Sequence, residues 1–429
     1  MSENLEATLM SRQAFSEKNL DTVFKYRKKQ SIAVTKKESQ IPFSEIENRI
    51  NDNNYLFGDF SSFKIQNNDI YQAELLDDDI VISKLDYNIR SIYKVKQKDR
   101  HTIVKQILSL LKEHTPKYIY RLDIKKFYES VDIEKVCERL VSDNILSSQS
   151  EYVLLEYLKK IKGSAIKGVP RGIGLSATLS ELYMKGFDKD ISNNQSVIYY
   201  TRFVDDILVI SSKRLNLKNE VISYIPKPLE LNWSKTKVTK IMRCHCDEIC
   251  KCDAVCNCWN KCQCSKLTEN KKSFSYLGYE FEFPEVIHDK NHSKKVHVGL
   301  SKGKFNRTKN RIHLSFKDYE KNGSFKLLNN RIKFLTGNHY LSRSKSRTDV
   351  IKSGVYYNYI HLDVLDRYDE LDKCLYVYIN SWKSTKVCLN ENHKNELRKY
   401  SFISGFKNKI TTKFSASQLN KIKGCWNNG

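Results

Sequence analysis

The sequence predicts an α+β fold, with helices on one face of an antiparallel sheet and a mainly helical region towards the C-terminus. Three observations point to it. An apolar stretch, Tyr118–Ile124, has strand character and ends at Asp123. Two further apolar stretches within Val197–Ser211 flank Asp205 and Asp206, which reads as a hairpin joined at that pair. Between them the apolar residues recur at helical spacing.

Residues 1–100 are polar and lysine-rich and read as mixed helix and loop, ending in YNIRSIYKVKQKDR. Asp77, Asp78 and Asp79 within this stretch read as an exposed acidic turn. Ile103, Ile107, Leu108 and Leu111 then place a helix over Thr102 to about His114, with Pro116 just beyond it. After the Tyr118–Ile124 strand come helices at about Ile133–Val141 and Glu151–Ile161. A glycine-rich segment, Gly168 to Ser176, opens another at about Ser176–Asp188.

The chain has 429 residues, too many for one ordinary core, so several domains are expected. The division read from the sequence is an N-terminal part (1–115), a central sheet-bearing part (116–283), a basic region (284–350) and a helical C-terminal region (351–429). A net charge of +24 favours a polyanionic partner, because Lys and Arg neutralise phosphates and release counterions. From Lys294 to Arg347 there are fifteen Lys or Arg against two Asp or Glu. Interleaved Phe305, Phe316, Phe325, Phe334 and Tyr340 suit a surface that grips a backbone and stacks bases. The N-terminal residues lack the apolar run of a secretory signal, and no stretch is long enough to cross a membrane, so a cytosolic location without membrane association is expected. Twelve cysteines in that setting read as thiols or metal ligands rather than disulfides.

Asp123 and the pair Asp205–Asp206 lie 82 residues apart, each in a short apolar setting. Carboxylates so presented can hold two Mg2+ ions about 3.5–4 Å apart for in-line phosphoryl transfer. Taken alone, Asp123 followed five positions later by Tyr128 fits an ordinary strand end beside a core aromatic. The adjacent pair is more specific, because neighbouring carboxylates repel and a turn that presents both needs a cation. Glycines in Gly168–Ser176 let the backbone approach a nucleotide closely, and the following helix start favours phosphate.

These segments resemble the palm motifs of reverse transcriptases over residues 90–283. Asp123-Ile-Lys-Lys-Phe-Tyr128 resembles motif A, Gly168 to Ser176 motif B, Phe203-Val-Asp-Asp206 motif C, Leu231-Asn-Trp-Ser-Lys-Thr-Lys237 motif D, and Phe274-Ser-Tyr-Leu-Gly-Tyr279 the primer-grip motif E. The resemblance implies a right-hand polymerase fold, with fingers over 1–115, palm over 116–283 and a thumb-like region over 284–350. It implies an RNA-directed DNA polymerase with Asp123, Asp205 and Asp206 as catalytic residues. Magnesium would be bound by Asp123, Ile124, Asp205 and Asp206. Substrate contacts are expected from Tyr128 (beneath the sugar, favouring dNTPs), Arg171, Gly172, Ser176, Lys235 (at the pyrophosphate), Arg90, Lys94 and Arg100. An RNA template and a DNA product are the implied partners.

Phe203 stands in place of the common Tyr, Arg171 of Gln, and Ala177 with Glu181 of Pro and Asn. These departures, with Arg331–Asn338 and Gly354–Tyr359, resemble the bacterial abortive-infection and "unknown group" defence reverse transcriptases. That implies an anti-phage role in the bacterial cytosol, a noncoding RNA or second defence protein as further partner, and scope for an oligomer. Two alternatives stay open: a catalytically retired palm acting as an RNA-binding scaffold, and an RNA-dependent RNA polymerase.

Cys244, Cys246, Cys250, Cys252, Cys256, Cys258, Cys262 and Cys264 form C-x-C-x3 repeated four times. They lie between the motif D and motif E matches and read as an insertion. Eight thiolates could close two four-thiolate zinc sites, with His245 as a substitute ligand. Closed sites of that kind are structural. The competing reading is a surface hairpin of uncoordinated or redox-labile thiols. Cys137, Cys374, Cys388 and Cys425 are scattered and read as core or incidental.

Overall fold

The computed structural model describes residues 12–30, 41–65, 68–96, 98–113, 115–243, 271–284, 286–287, 296–340, 352–382 and 388–426. The eight-cysteine array lies outside them. The chain divides into two compact units, Met1–Lys98 with Leu122–Lys237, and Asp99–Arg121 with Val238–Gly429.

The first unit opens with helix α1 (Glu17–Gln30) and helix α2 (Phe43–Asn51), followed by an antiparallel hairpin of β1 (Phe60–Ile65) and β2 (Asn68–Ala73). This hairpin lies in a stretch that the sequence presents only as helix and loop; its strands are largely exposed and polar and do not alternate between buried and exposed positions. Helix α3 (Leu76–Tyr93) follows directly. Asp77–Asp79 are not an exposed turn. They form the first helical turn of α3, with Asp77 and Asp78 only 4% and 1% exposed. The helix dipole favours acids there, and the buried Asp78 carboxylate accepts hydrogen bonds from Tyr55 Oη (2.7 Å) and the Gly58 amide (3.0 Å). Asp79 accepts a bidentate pair from Arg27 of α1.

Strand β3 (Lys117–Asp123) delivers its last two residues to this unit. It is followed by the short helix α4 (Phe127–Ser130), then α5 (Ile133–Ser142), capped by Asp132, and α6 (Ser148–Lys162), capped by Ser147. These caps satisfy amides that the helices leave unpaired. Helix α7 (Gly174–Ser192) packs along α3 and against β4 (Val197–Phe203). Strand β4 pairs antiparallel with β5 (Asp206–Ser211), whose Ile207–Ile210 are wholly buried. That run is apolar on both faces because both faces are covered.

In the second unit, helix Arg100–Lys112 takes its N-cap from Asp99. Strands β7 (Lys271–Tyr276), β8 (Tyr279–Pro284) and β10 (His297–Leu300) form an antiparallel sheet, while β6 (Lys237–Arg243) pairs parallel with β9 (Val286–Ile287). Leu277 and Gly278, at φ of 49° and 80°, make the two-residue turn between β7 and β8. Positive φ at both positions is the type I′ pattern that matches strand twist. Helices α8 (Lys302–Asn322), α9 (Phe325–Thr336) and α10 (Asp366–Ser381) enclose an apolar core that includes Ile312, Phe316, Leu328, Ile332 and Leu371. The segments Arg331–Asn338 and Gly354–Tyr359 meet here, with Asn338 opposite Gly354 in an antiparallel strand pair. The buried Asn338 amide donates to the Gly405 and Ile410 carbonyls, and its oxygen accepts from the Tyr356 amide. Among the described residues, no helix is long and apolar enough to cross a membrane.

Candidate active site

Asp123 ends β3, and Asp205 lies in the two-residue turn between β4 and β5. The Ile124 amide donates to the Asp205 carbonyl at 3.3 Å, so the ends of the two segments are adjacent. Ile124 also bridges to Leu231, and the Asn232 amide donates to the Asp123 carbonyl at 2.7 Å. Three stretches remote in sequence thus converge on one carboxylate. The hairpin turns at Val204 and Asp205, one residue earlier than the sequence suggests, and Asp206 is the first residue of β5, opposite Phe203.

Burial pushes the pKa of the Asp205 carboxyl above the ordinary carboxylate range, and the nearby charges of Asp206 and Asp123 push it further up. This is the signature of negative charge gathered in excess of its compensation. Asp123 is compensated by Lys235, whose Nζ lies 3.2 Å from Oδ2 and 3.3 Å from Oδ1, and by Asn232 Nδ2 at 3.1 Å. Hard carboxylate oxygens from Asp123 and Asp205, with backbone carbonyls beside them, are a donor set of the kind magnesium takes. Among the described residues, no group of three or more His, Cys, Asp or Glu is drawn together as a metal cluster. The fit to magnesium therefore rests on the Asp123–Asp205 pair, with Asp206 following on β5.

Tyr128, in α4, lies close enough to Asp205 to be influenced by its charge, and burial pushes the phenol above its ordinary value. The Arg171 guanidinium sits 4.9 Å from its ring centroid and pairs with Glu129 at 3.1 Å. The Gly168–Ser176 loop is locked against this aromatic by the Val169 amide, which donates to the Tyr128 carbonyl at 2.9 Å. Gly168 has φ 64°, and a Cβ there would fall 2.3 Å from that same carbonyl. Gly172, at φ 107°, lies against the Tyr71 backbone of β2, and the Tyr71 amide donates to the Arg171 carbonyl at 2.7 Å. Ser176 is buried and donates to the Pro170 carbonyl at 2.7 Å, closing the loop on itself.

Arg90 and Gly172 line one cleft of about 1220 Å3, together with Arg27, Lys96 and Gly174. Lys94 ends α3 in the left-handed conformation. Arg100 lies in the second unit. There it donates to the Leu277 carbonyl at 2.6 Å, with its guanidinium over Tyr279 and Tyr359 at 5.4 and 4.9 Å. Its hydrogen bond and ring contacts thus hold the β7–β8 turn.

Sequence reasoning missed Arg202, Asp188 and the part that Glu181 plays in holding Arg202. Arg202 Nε donates to Asp188 Oδ1 (2.8 Å), and Nη2 to Asp188 Oδ2 and Glu181 Oε2 (both 2.7 Å). Nη1 donates to Glu181 Oε1 and to the Val204 carbonyl (both 3.1 Å). All five guanidinium N–H groups are thus used. Tyr200 Oη adds a bond to Asp188 at 2.5 Å. Burial works against the Arg202 charge, but the bonds to Asp188 and the nearby acids outweigh it and hold it protonated. Val204, at φ 60°, stands where a type II′ turn favours glycine. A β-branched residue in that region costs on the order of 1–3 kcal/mol. The only sequence signal for the network was an Arg three residues before the aspartate pair, with Glu181 in place of the usual Asn.

Residues 66–281 match the family described as reverse transcriptase (RNA-dependent DNA polymerase), half of the chain. No curated protein matches the chain. Among solved structures, apo telomerase from Candida tropicalis is similar at 12% identity, covering 81% of this chain and 56% of that one, with a TM-score of 0.32. A form of it truncated from the C-terminal domain gives 14% identity, 64% and 51% coverage, and a TM-score of 0.31. Telomerase from Candida albicans, complexed with a fragment of telomeric RNA, gives 15%, 81% and 53%, and 0.30. The chain spans about half the length of these telomerases.

Proposed function

The chain belongs to the reverse transcriptase (RNA-dependent DNA polymerase) family, and from that premise we propose that it extends a DNA strand on an RNA template by adding dNTPs. The observation that carries this reading is the approach of Asp205 to Asp123, tied by the Ile124–Asp205 backbone bond. In it, Asp123, Asp205 and the Ile124 carbonyl hold two magnesium ions, with Asp206 in support. Bound magnesium supplies the electrostatic stabilisation for in-line attack of a 3′-hydroxyl on the α-phosphate. Tyr128 occupies the space of a ribose 2′-hydroxyl and selects dNTPs. Lys235, beside Asp123, is placed to meet the charge on the departing pyrophosphate. Arg171 and the Gly168–Ser176 loop fix the Tyr128 ring.

The functional division in this reading is N-terminal extension and fingers (1–115), palm with interleaved fingers segments (116–283), basic thumb-like region (284–350) and helical C-terminal region (351–429). Asp123→Ala and Asp205→Asn test the catalytic assignment: each should abolish incorporation while the far-ultraviolet spectrum stays native. Synthesis at the wild-type rate by either variant would refute it. RNA binding by the wild-type protein without incorporation would favour a retired scaffold, and a preference for rNTPs an RNA polymerase.

The finer reading is anti-phage defence in the bacterial cytosol, with a noncoding RNA or a second defence protein as partner. Arg171, Ala177, Glu181 and Phe203 support it by their departure from the common motifs. Phage plating on cells that express the wild type or Asp205→Asn tests it, since protection should need Asp205. The Cys244–Cys264 array is read as holding about two zinc ions in closed thiolate sites. Elemental analysis of the purified protein decides this, and a folded, zinc-free protein would remove it.

A further inference from the structure

We propose that Arg202, clamped by Glu181 and Asp188, is the positioning residue for Asp205, acting through the carbonyl of Val204. The inference rests on the polymerase reading for its catalytic meaning, but its physical content can be tested separately.

Arg202 is the last residue but one of β4, a strand that packs against α7, and Val204 follows two residues later in the turn. Glu181 and Asp188 are seven residues apart on α7, so both project towards the same side of the helix. The guanidinium fills the space between them and is 3% exposed. Four of its donors bind the two carboxylates, and one Nη1 bond, at 3.1 Å, goes to the Val204 carbonyl. This last bond fixes the plane of the Val204–Asp205 peptide. The Asp205 side chain leaves the backbone directly after that plane, so its direction is set by Arg202.

The turn needs such a clamp because Val204 is held at φ 60°, which valine rarely adopts. A valine left to itself would relax, rotating the following peptide and carrying Asp205 away from Asp123. The Arg202 bond to its carbonyl opposes that relaxation. Glu181 and Asp188 are needed because a buried guanidinium requires charged partners. Lysine at position 202 would keep the charge but lose the fork geometry that reaches three groups at once. A residue that merely stitched α7 to β4 would need neither the carbonyl bond nor a strained partner.

The experiment compares wild type, Arg202→Lys, Glu181→Gln, Val204→Gly and the double variant Arg202→Lys/Val204→Gly. Two quantities are read: the Mg2+ half-saturation of dTTP incorporation on poly(rA)·oligo(dT), and the rise in Tm on adding Mg2+ alone. Arg202→Lys should raise the Mg2+ requirement by about 10–100-fold, the usual effect of removing a partner that orients a metal ligand. The dTTP KM should stay unchanged, and Glu181→Gln should act in the same direction more weakly. Because glycine adopts positive φ without strain, the double variant should recover most of the lost Mg2+ affinity.

Variants that lower Tm yet keep the wild-type Mg2+ half-saturation would reduce Arg202 to a structural strut. A double variant no better than Arg202→Lys would show that Arg202 does not work through Val204. Should Arg202→Lys fail to fold, Glu181→Gln with and without Val204→Gly decides the matter by the same readouts. A wild-type protein that binds Mg2+ but incorporates nothing overturns the polymerase reading, and the Mg2+-dependent Tm still judges the positioning. A wild-type protein with no Mg2+ response in either readout overturns both.

Discussion

The ammonium of Lys235 lies 3.2 Å from the carboxylate of Asp123, so the motif A aspartate carries a counter-cation supplied by its own chain. Lys235 is 58% exposed while the Asp123 side chain is only 7% exposed; with the ammonium in water and Asn232 also bound to the carboxylate, the pair contributes about 1 kcal/mol to stability. Lys235→Met should therefore leave Tm almost unchanged. It should slow incorporation, and it should bind Mg2+ at least as tightly as the wild type, because one competitor for Asp123 is gone. A Mg2+ titration of the Lys235→Met protein checks this, and weaker binding would show that Lys235 assists the ion.

Tyr128 is held by Arg171 over its ring and by the Val169 amide at its carbonyl. On the proposed reading, shortening it to alanine would open the space beside the sugar without touching a carboxylate. Tyr128→Ala should raise the rNTP-to-dNTP incorporation ratio by about tenfold, equivalent to ~1.4 kcal/mol of lost discrimination. Competing dTTP and UTP on one template measures it directly. An unchanged ratio would mean that another group screens the 2′-hydroxyl.

At Gly168, both the positive φ and the 2.3 Å approach to the Tyr128 carbonyl forbid a side chain. The obstacle is backbone, so it cannot be relieved by a rotamer change. Gly168→Ala should lose on the order of 2 kcal/mol or more, through overpacking and strain together. Urea denaturation measures it, and a loss below that of an ordinary surface substitution would mean the loop can move aside.

In the second unit, burial pulls the His339 imidazole down to about 4, with Lys423 adding to the effect. Its ring stacks on Phe334 at 4.1 Å, and Nδ1 has no hydrogen-bond partner among the described residues. The sign follows from linkage. Between pH 6.5 and about 4 the unfolded chain holds a proton that the folded one refuses, so stability falls as pH drops through that window and is constant above it. His339→Phe keeps the stack and removes the titrating group. The Tm difference between pH 7.5 and pH 5 should be smaller in the variant than in the wild type, and an equal difference would clear His339 of any part in acid sensitivity.

Much of the site is legible in the sequence because its chemistry is local. Asp123 ends an apolar run, and Asp205–Asp206 interrupts another. Helices α5, α6 and α7 lie within a few residues of the positions that their apolar spacing predicts. What the sequence hides is set by partners far along the chain. Asp78 looks like part of a solvated acidic turn until Tyr55 and Gly58 supply its donors. At Arg100 the spacing gives no hint of the Leu277 carbonyl and the two tyrosines that engage its guanidinium. Arg202 goes unread, because its two acids stand on a helix whose register against β4 cannot be read from spacing. The β1–β2 hairpin escapes notice for another reason: its exposed faces carry too many polar residues to alternate cleanly.

The bond from the Tyr71 amide to the Arg171 carbonyl joins the β1–β2 hairpin to the loop that braces Tyr128. Hairpin, loop and aromatic ring therefore behave as one lever, with no slack at Gly172, where the Tyr71 backbone already touches. If Tyr128 screens the sugar as proposed, that discrimination would be exposed to mutation at the hairpin, far along the chain from any carboxylate, and drift there would retune which nucleotides are accepted while the aspartates stay unaltered.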